Sequence, residues 1–498
     1  MRTSAANDQP PSAPAYSRRG FLHRMSQGVH GAALAYLFGQ DLLRSGVALG
    51  APSHAADSRR LYDLKPRQPH AEPKAKAVIH LFMNGGPSQV DTFDPKPMLE
   101  KHHGKPYFHE IAADVSSPQS AGGLMRSPYT FRQHGQCGTW VSEALPHVAR
   151  HVDDIAVIRS MFNSHPNHEP ALYKIHSGQL LPGLPSLGAW VVYGLGSVNQ
   201  NLPAYVVLDD PLGLPVNGVQ NWQSGYLPPV YQVTRLRSTG SPILNLKPET
   251  TDPPQVVQLQ RDLLRQMDEA HRGQRPGMLQ LDARIASYEL AARMQLEATD
   301  ALDLTQETQA TLDAYGVGQQ PTDSYARRCL MARRLVERGV RFVQLFINAQ
   351  IWDNHNRLQT SLKAAADRTD QPVAALLADL KQRGLLDDTL VIWGGEFGRL
   401  PIAQLRADGD VSQAGRDHGP AGFSLWMAGG GVKGGVVHGN TDEIGYKAVE
   451  NRVSVADWHA TILHLLGMDY RELSFLRNGL EDRITGTQDA RIVREILA

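Results

Sequence analysis

The chain has 498 residues, of which 41% are apolar, and its 50 lysines plus arginines balance 50 aspartates plus glutamates. That composition supports a real core, enough for one large α/β domain or two smaller ones, and the zero formal net charge leaves no global basic field for nucleic acid. Two cysteines, Cys137 and Cys329, exclude a disulfide framework and a cysteine-based zinc site, although in an oxidising compartment the two can pair with each other.

Residues 1–55 read as an export segment. Ser17-Arg18-Arg19-Gly20-Phe21-Leu22 sets two arginines before an apolar pair and resembles a twin-arginine translocation signal. The apolar stretch from Gly28 to Gly39 follows, too short for the ~20 residues of a bilayer span. Small-residue cleavage patterns come next, at Ala48-Leu49-Gly50 and Ser53-His54-Ala55. The order of charge, apolar core and cleavage site predicts a periplasmic or secreted protein, with no stable membrane span once the signal is removed.

Residues 56–74 read as a linker, with Pro66, Pro69 and Pro73, and the fold is expected over 75–498. Short, nearly continuous apolar runs predict buried strands at Val78–Met83, Ile155–Ile158, Ala204–Leu208, Val340–Ile347, Thr389–Trp393 and Phe423–Met427. Between them, Leu259, Leu263 and Met267 recur at helical spacing, as do Leu281 with Ile285 and Leu290 with Met294, so residues 254–339 read as a helical insertion. Alternating buried strands and helices predict an α/β fold with a mostly parallel central sheet flanked by helices. The glycine run Gly429–Gly435 lacks P-loop spacing and predicts a hairpin turn.

In such sheets ligands sit beyond the carboxyl ends of the strands, so the polar residues that follow each strand carry most weight. Asp353 and His355 are two apart, and persisting strand geometry aims both at one face, where a cation can take both. His418, on a glycine-flanked loop, supplies a third ligand, and two imidazoles with a carboxylate suit Zn²⁺ or a similar ion. Glu396 and Asn84 are hard oxygen donors better suited to Mg²⁺, Ca²⁺ or Mn²⁺. A plain hydrogen bond or a cap also accounts for an Asp-x-His pair. Asp91 and Asp94 are expected to shape a turn through side-chain to backbone bonds. Ser164, near the start of a helix with Pro166 in its first turn, reads either as an N-cap or as a nucleophile activated by the helix terminus and an adjacent metal.

Taken together, Met83–Pro97, Arg159-Ser160-Met161, Asn167-His168-Glu169-Pro170-Ala171, Trp352-Asp353-Asn354-His355, Gly394–Pro401 and the tail from Asp417 to Gly467 resemble an exported, sulfatase-like family (domain of unknown function 1501) over residues 75–470. That family is similar to the alkaline phosphatase superfamily, and the resemblance implies a metal-supported nucleophile at a helix start. By position it implies that Ser164, Asn167 and His168 belong to the nucleophile turn, with Asn167 on a non-bridging oxygen. It also implies that Asp353, His355, His418, Glu396 and Asn84 are metal ligands for a divalent ion (Zn, Ca, Mg or Mn). Departures are visible: Asn84 and Glu396 replace aspartates, Phe397 replaces a metal histidine, and the sulfatase Cys/Ser-x-Pro-x-Arg motif is not evident near residue 164. The resemblance thus implies a metal-dependent hydrolase of sulfate or phosphate esters acting on a small-molecule or glycan ester. The altered ligands imply the alternative of a degenerate, non-catalytic module that binds a glycan or a protein.

Overall fold

The six apolar runs become β1 (Ala77–Phe82), β2 (Ile155–Phe162), β3 (Tyr205–Leu208), β5 (Phe342–Phe346), β6 (Thr389–Gly394) and β7 (Phe423–Ala428) of one sheet, which three further short strands join, β4 (Thr234–Leu236), β8 (Val436–His438) and β9 (Val453–Ser454). The computed structural model describes residues 63–237, 252–347, 350–406 and 409–498, so the export segment lies outside the described residues. Spatial order is β8-β2-β7-β6-β1-β5-β3-β4, with β9 also paired to β2. β7 runs antiparallel to both its neighbours, β6 and β2, and every other pairing is parallel. β1, β5 and β6 are buried at every position, which is why they read as continuous apolar runs rather than alternating ones. β4, β8 and β9 have only two or three residues each, too few to make a run of their own.

Helices cover both faces. The longer ones are α1 (His168–Ser177), α2 (Leu187–Leu195), α3 (Pro254–Gly273), α4 (Leu279–Ala301), α5 (Asp323–Glu337), α6 (Leu358–Gln382) and α7 (Val455–Leu465). One core joins Ile79, Leu81, Val343, Leu345 and Val391 to Cys329 and Leu330 of α5 and to Leu362, Val373 and Leu377 of α6. The other joins Val78, Phe82, Phe342, Phe346 and Ile392 to Leu172 of α1, Trp190 of α2, and Trp458 and Ile462 of α7. Each such side chain contributes roughly 1.5–3 kcal/mol through burial, so the two sheet faces dominate the stability of the fold.

Several local expectations change. The segment 254–339 is helical where described, but α5 is a core helix leading into β5, not a peripheral one. The periodicity of α3 is real, yet Leu259, Leu263 and Met267 are exposed among the described residues, whereas Ile285 and Met294 of α4 are buried. The Gly429–Gly435 run is not a hairpin turn: it carries the chain from β7 past β2 to β8, and β7 and β8 do not pair. Cys137 is exposed, Cys329 is buried, and both are free. Residues 63–74 run along the domain, with Arg67 N–H bonded to Leu195 O (2.9 Å), Ala71 N–H to Gly467 O (2.9 Å) and Lys74 N–H to Leu465 O (2.8 Å). No helix among the described residues is long and apolar enough to cross a membrane.

The sheet topology gathers the polar motifs. The carboxyl ends of β1, β5 and β6 lie level, with Phe82 opposite Phe346 and Gly394. β2 runs in the same direction, and antiparallel β7 starts where its neighbours end. Asn84, Ser164–His168, Asp353–His355, Glu396 and His418 therefore leave the sheet at one edge.

Candidate metal centre

The loop after β5 is clamped to the loop after β1. Trp352 N–H bonds Asn84 O (3.1 Å) and Asp353 N–H bonds Gln350 O (2.8 Å). Gly85 has φ +107°, and a Cβ on it would sit 2.5 Å from Asp353 N, so only glycine lets the two loops approach this closely. Gly415 serves the same end on the other side, where a Cβ would lie 2.1 Å from the carbonyl carbon of His355.

Four side chains converge there. His168, Asp353, His355 and His418 each offer one ligand atom, and these atoms lie within 4.8 Å of one another. Asp353 Oδ1 is 2.9 Å from His355 Nε2 and 3.2 Å from His418 Nε2, and Asp353 Oδ2 is 3.3 Å from His168 Nε2. His355 Nε2 and His418 Nε2 are 2.9 Å apart. Three imidazole nitrogens crowded on one carboxylate form a donor set for a cation. Ring nitrogens sharing one Zn²⁺ at about 2.0–2.1 Å stand about 2.9–3.4 Å apart for angles between about 90° and tetrahedral. The residues present therefore fit a divalent transition metal better than Ca²⁺ or Mg²⁺, which need more oxygen donors.

The loops that carry these residues also hold unpaired polar atoms. Asn84 is buried with neither Oδ1 nor Nδ2 hydrogen-bonded, and Gln350 Nε2, Asn354 Oδ1 and His418 Nδ1 are likewise buried without a partner. Buried polar atoms left unpaired cost about 1–3 kcal/mol each, so unpaired Asn84, on the loop clamped to Trp352, and His418 Nδ1 are compatible with a bound species that satisfies them.

A second layer fixes the ligands. His168 Nδ1–H donates to Glu396 Oε1 at 2.5 Å, and Gly85 N–H donates to the same carboxylate at 3.0 Å. Glu396 is fully buried and stands behind His168, outside the four-residue group. Gln404 Oε1 meets His355 Nδ1, and Asp417 Oδ1 accepts the backbone N–H of His418 (2.8 Å). Arg399, fully buried, donates to Asp353 Oδ1 (2.5 Å) and Gly86 O (3.0 Å) and also meets Gly85 O, Trp352 O and Arg416 O.

These contacts set the charges. Burial works against the Asp353 carboxylate, but the Arg399 guanidinium and hydrogen bonds from His168, His355 and His418 outweigh it and hold its pKa well below the usual carboxylate range. Burial alone would lower His168, yet hydrogen bonds to Asp353 and Glu396 prevail and raise it to about 9. His418 is lowered to about 4, first by burial, with Arg399 and His168 adding repulsion against the pull of Asp353. Phe397, fully buried, packs its ring 4.8 Å from His168 and 4.7 Å from His418, centroid to centroid, forming an apolar wall.

The remaining expected residues stand outside this group. Ser164 is exposed, and its N–H bonds Asn163 Oδ1 (2.7 Å). It is not the helix cap: Asn167 holds the N-cap position of α1, without a side-chain cap bond, and His168 is the first helical residue. His165 Nδ1 accepts from Asn167 N–H (3.0 Å). Asp91 and Asp94 do not act through backbone bonds. Asp91 pairs with buried Arg416 (2.7 and 3.2 Å) and accepts from Ser88 Oγ, and Asp94 meets Lys96 (2.9 Å) and Thr441. Arg399, Arg416 and Asn163 also belong to this region, without a role legible in the sequence alone. Asn163 Nδ2 donates to Glu396 O (2.8 Å), tying the Ser164 loop to the Glu396 loop. Two glycine-flanked arginines inside otherwise site-like motifs, Gly398-Arg399 and Gly415-Arg416, were the available signal.

Solved structures with some likeness include Ps i-CgsB in complex with k-i-k-neocarrahexaose (11% identity, TM-score 0.35, 80% of this chain and 72% of that one). The lipoteichoic acid synthase LtaP from Listeria monocytogenes is another (8% identity, TM-score 0.33, 86% and 79%). A third is the phosphonate monoester hydrolase SpPMH from Silicibacter pomeroyi (12% identity, TM-score 0.33, 86% and 76%). No curated protein matches the chain. The family model described as "Protein of unknown function (DUF1501)" matches residues 75–497, and the chain belongs to that family.

Proposed function

We propose that the protein is an exported, metal-dependent hydrolase of sulfate or phosphate esters. The observation that carries this reading is the four-donor group of His168, Asp353, His355 and His418, with the exposed Ser164 four residues before His168, the first residue of α1. A divalent ion held by those four residues, with Asn84 as a further oxygen donor, supplies positive charge to the ester oxygens when bound. Ser164 Oγ attacks the phosphorus or sulfur, the bond to the alcohol oxygen breaks, and water later releases the inorganic anion and restores the serine. Asn167 and the first N–H groups of α1 face a non-bridging oxygen, where a helix N-terminus favours negative charge. Glu396 fixes the orientation of His168, and Arg399 keeps Asp353 ionised.

The test uses purified protein on a panel of sulfate and phosphate esters with Zn²⁺, Mn²⁺ or Ca²⁺, with and without chelator. Hydrolysis that chelation abolishes is expected, and silence across the whole panel with all three metals refutes the reading. A second reading, a non-catalytic module binding a glycan or a protein, is favoured by one observation: the Phe397 ring closes the space between His168 and His418. Absence of metal by elemental analysis, together with unchanged stability of Asp353→Ala, supports that alternative instead.

A further inference from the structure

The loop that leaves the carboxyl end of β3, residues 209–219, carries an unusual load of exposed aliphatic side chains. Leu212 is 73% exposed, Leu214 41%, Val216 36% and Val219 48%. Scattered apolar residues are ordinary on a surface, but four exposed ones within eight residues of a single loop are a local concentration of the kind that marks a binding site.

The loop is firmly built. Buried Arg328 pairs with Asp210 at 2.7 Å, and Asp210 Oδ1 accepts the N–H of Leu212 (3.0 Å). Buried Asn221 donates to Val216 O (2.7 Å) and Gly218 O (3.2 Å), and Gly218 N–H bonds Pro215 O (3.0 Å). A mobile tip displays apolar groups at random, whereas this one holds them in place.

Its position matters more. Leu208 of β3 is in register with Leu345 of β5, so the loop leaves the same edge of the sheet as the segment that carries Asp353 and His355. It also docks on α1, the helix that His168 begins: Asn217 Nδ2 donates to Glu169 O (2.8 Å), and Tyr173 Oη donates to Gln220 Oε1 (2.6 Å). Residues 211–222 contain no charged side chain, and Arg235, which lies over the Trp222 ring, is paired with Asp209, so the loop carries no basic cluster for an anionic lipid surface. Its exposed apolar side chains are aliphatic, with no exposed aromatic platform on which a sugar would stack, and the amides of Asn217 and Gln220 are engaged by Glu169 O and Tyr173 Oη.

We propose that this loop is the subsite for the apolar part of the substrate: an amphiphilic ester sets its sulfate or phosphate at the His168–Asp353–His355–His418 group and lays a hydrocarbon chain on Leu212, Leu214, Val216 and Val219. This rests on the hydrolase reading above.

The experiment measures kcat/KM for a series of n-alkyl sulfates and n-alkyl phosphates from methyl to octyl, below their micelle concentrations. A buried methylene contributes a factor of about three to four, so kcat/KM is expected to climb by up to that factor per carbon until the patch is covered. The double variant Leu212→Ser with Leu214→Ser flattens the climb and leaves the methyl esters unchanged. Calorimetric binding of octylphosphonate against methylphosphonate separates the two ideas. If no ester is cleaved but octylphosphonate binds more tightly through the two leucines, the subsite stands and the hydrolase reading falls. Equal binding of octyl and methyl probes, or an octyl advantage that survives in the double variant, overturns the subsite even if esters are cleaved. Sedimentation with phosphatidylcholine vesicles, or a dimer in solution, that the double variant abolishes also overturns it, because the patch then serves a membrane or a second copy.

Discussion

Replacing Glu396 by Gln tests the layer behind the metal group without changing its shape. In the native protein His168 Nδ1–H donates to the Glu396 carboxylate at 2.5 Å, and the two carboxylates on either side of the ring hold its pKa at about 9. The metal-free protein therefore carries a proton on His168 at neutral pH, and a cation must displace it. At pH 7, about two units below that pKa, the displacement costs about 2.7 kcal/mol. Native affinity is expected to tighten about tenfold per pH unit between pH 7 and 9 and then level off. In Glu396→Gln the amide oxygen still accepts from His168, but the negative charge is gone. The ring becomes a poorer ligand, a loss of about 10–100-fold in affinity for such outer partners, and also a weaker base with less proton to displace. The two effects oppose each other at pH 7 and separate at pH 9. The assay is Zn²⁺ competition against a chromophoric chelator at several pH values. The variant is expected to fall 10–100-fold behind at pH 9, with a smaller gap and a flatter slope towards pH 7. Parallel slopes in the two proteins would refute the assignment of Glu396 as the group that charges His168.

Ser164→Ala is expected to abolish turnover of both ester classes while leaving metal content and Tm unchanged, since Ser164 is exposed and Oγ caps nothing; retained turnover would hand the attack to water. Arg416→Met leaves Asp91 as an unpaired buried charge and should lower unfolding stability by about 3–5 kcal/mol in urea titrations. Adding Asp91→Leu should recover much of that loss, and strict additivity would deny the pair. Acid sensitivity follows from His176 and His459, which burial holds at about 4 and about 3. Both folded-state values lie below the unfolded value of about 6.5, so the unfolded chain takes up protons first; the stability these two residues contribute is complete above pH 6.5 and drains away as pH falls towards 4. Each contributes about 1.4 kcal/mol per pH unit across that window, and a flat stability profile from pH 6.5 to 4 would contradict it.

The strands that pair on both sides within the sheet were legible because burial on both faces leaves a continuous apolar run, and β1, β5 and β6 are of that kind. Asp353, His355 and His418 were legible as donors because their residue types and their places after strands narrow the chemistry. Everything that depends on distance was not. His168 joins those three because the sheet order sets β2 two strands from β6, so that α1 starts over the same edge. Glu396 moves behind His168 because its carboxylate is taken by that ring and by Gly85 N–H, contacts between residues 228 and 311 positions apart. Arg399 and Arg416 were invisible because an isolated arginine reads as surface, and only the folded chain shows them buried on Asp353 and Asp91. The amino-acid sequence by itself determined the six strands with apolar runs, the mostly parallel architecture and the list of candidate donors, because these follow from periodicity and residue chemistry. Only the tertiary structure decided which donors come together and which stand behind them, because donor geometry is a property of strand order and loop approach rather than of spacing along the chain.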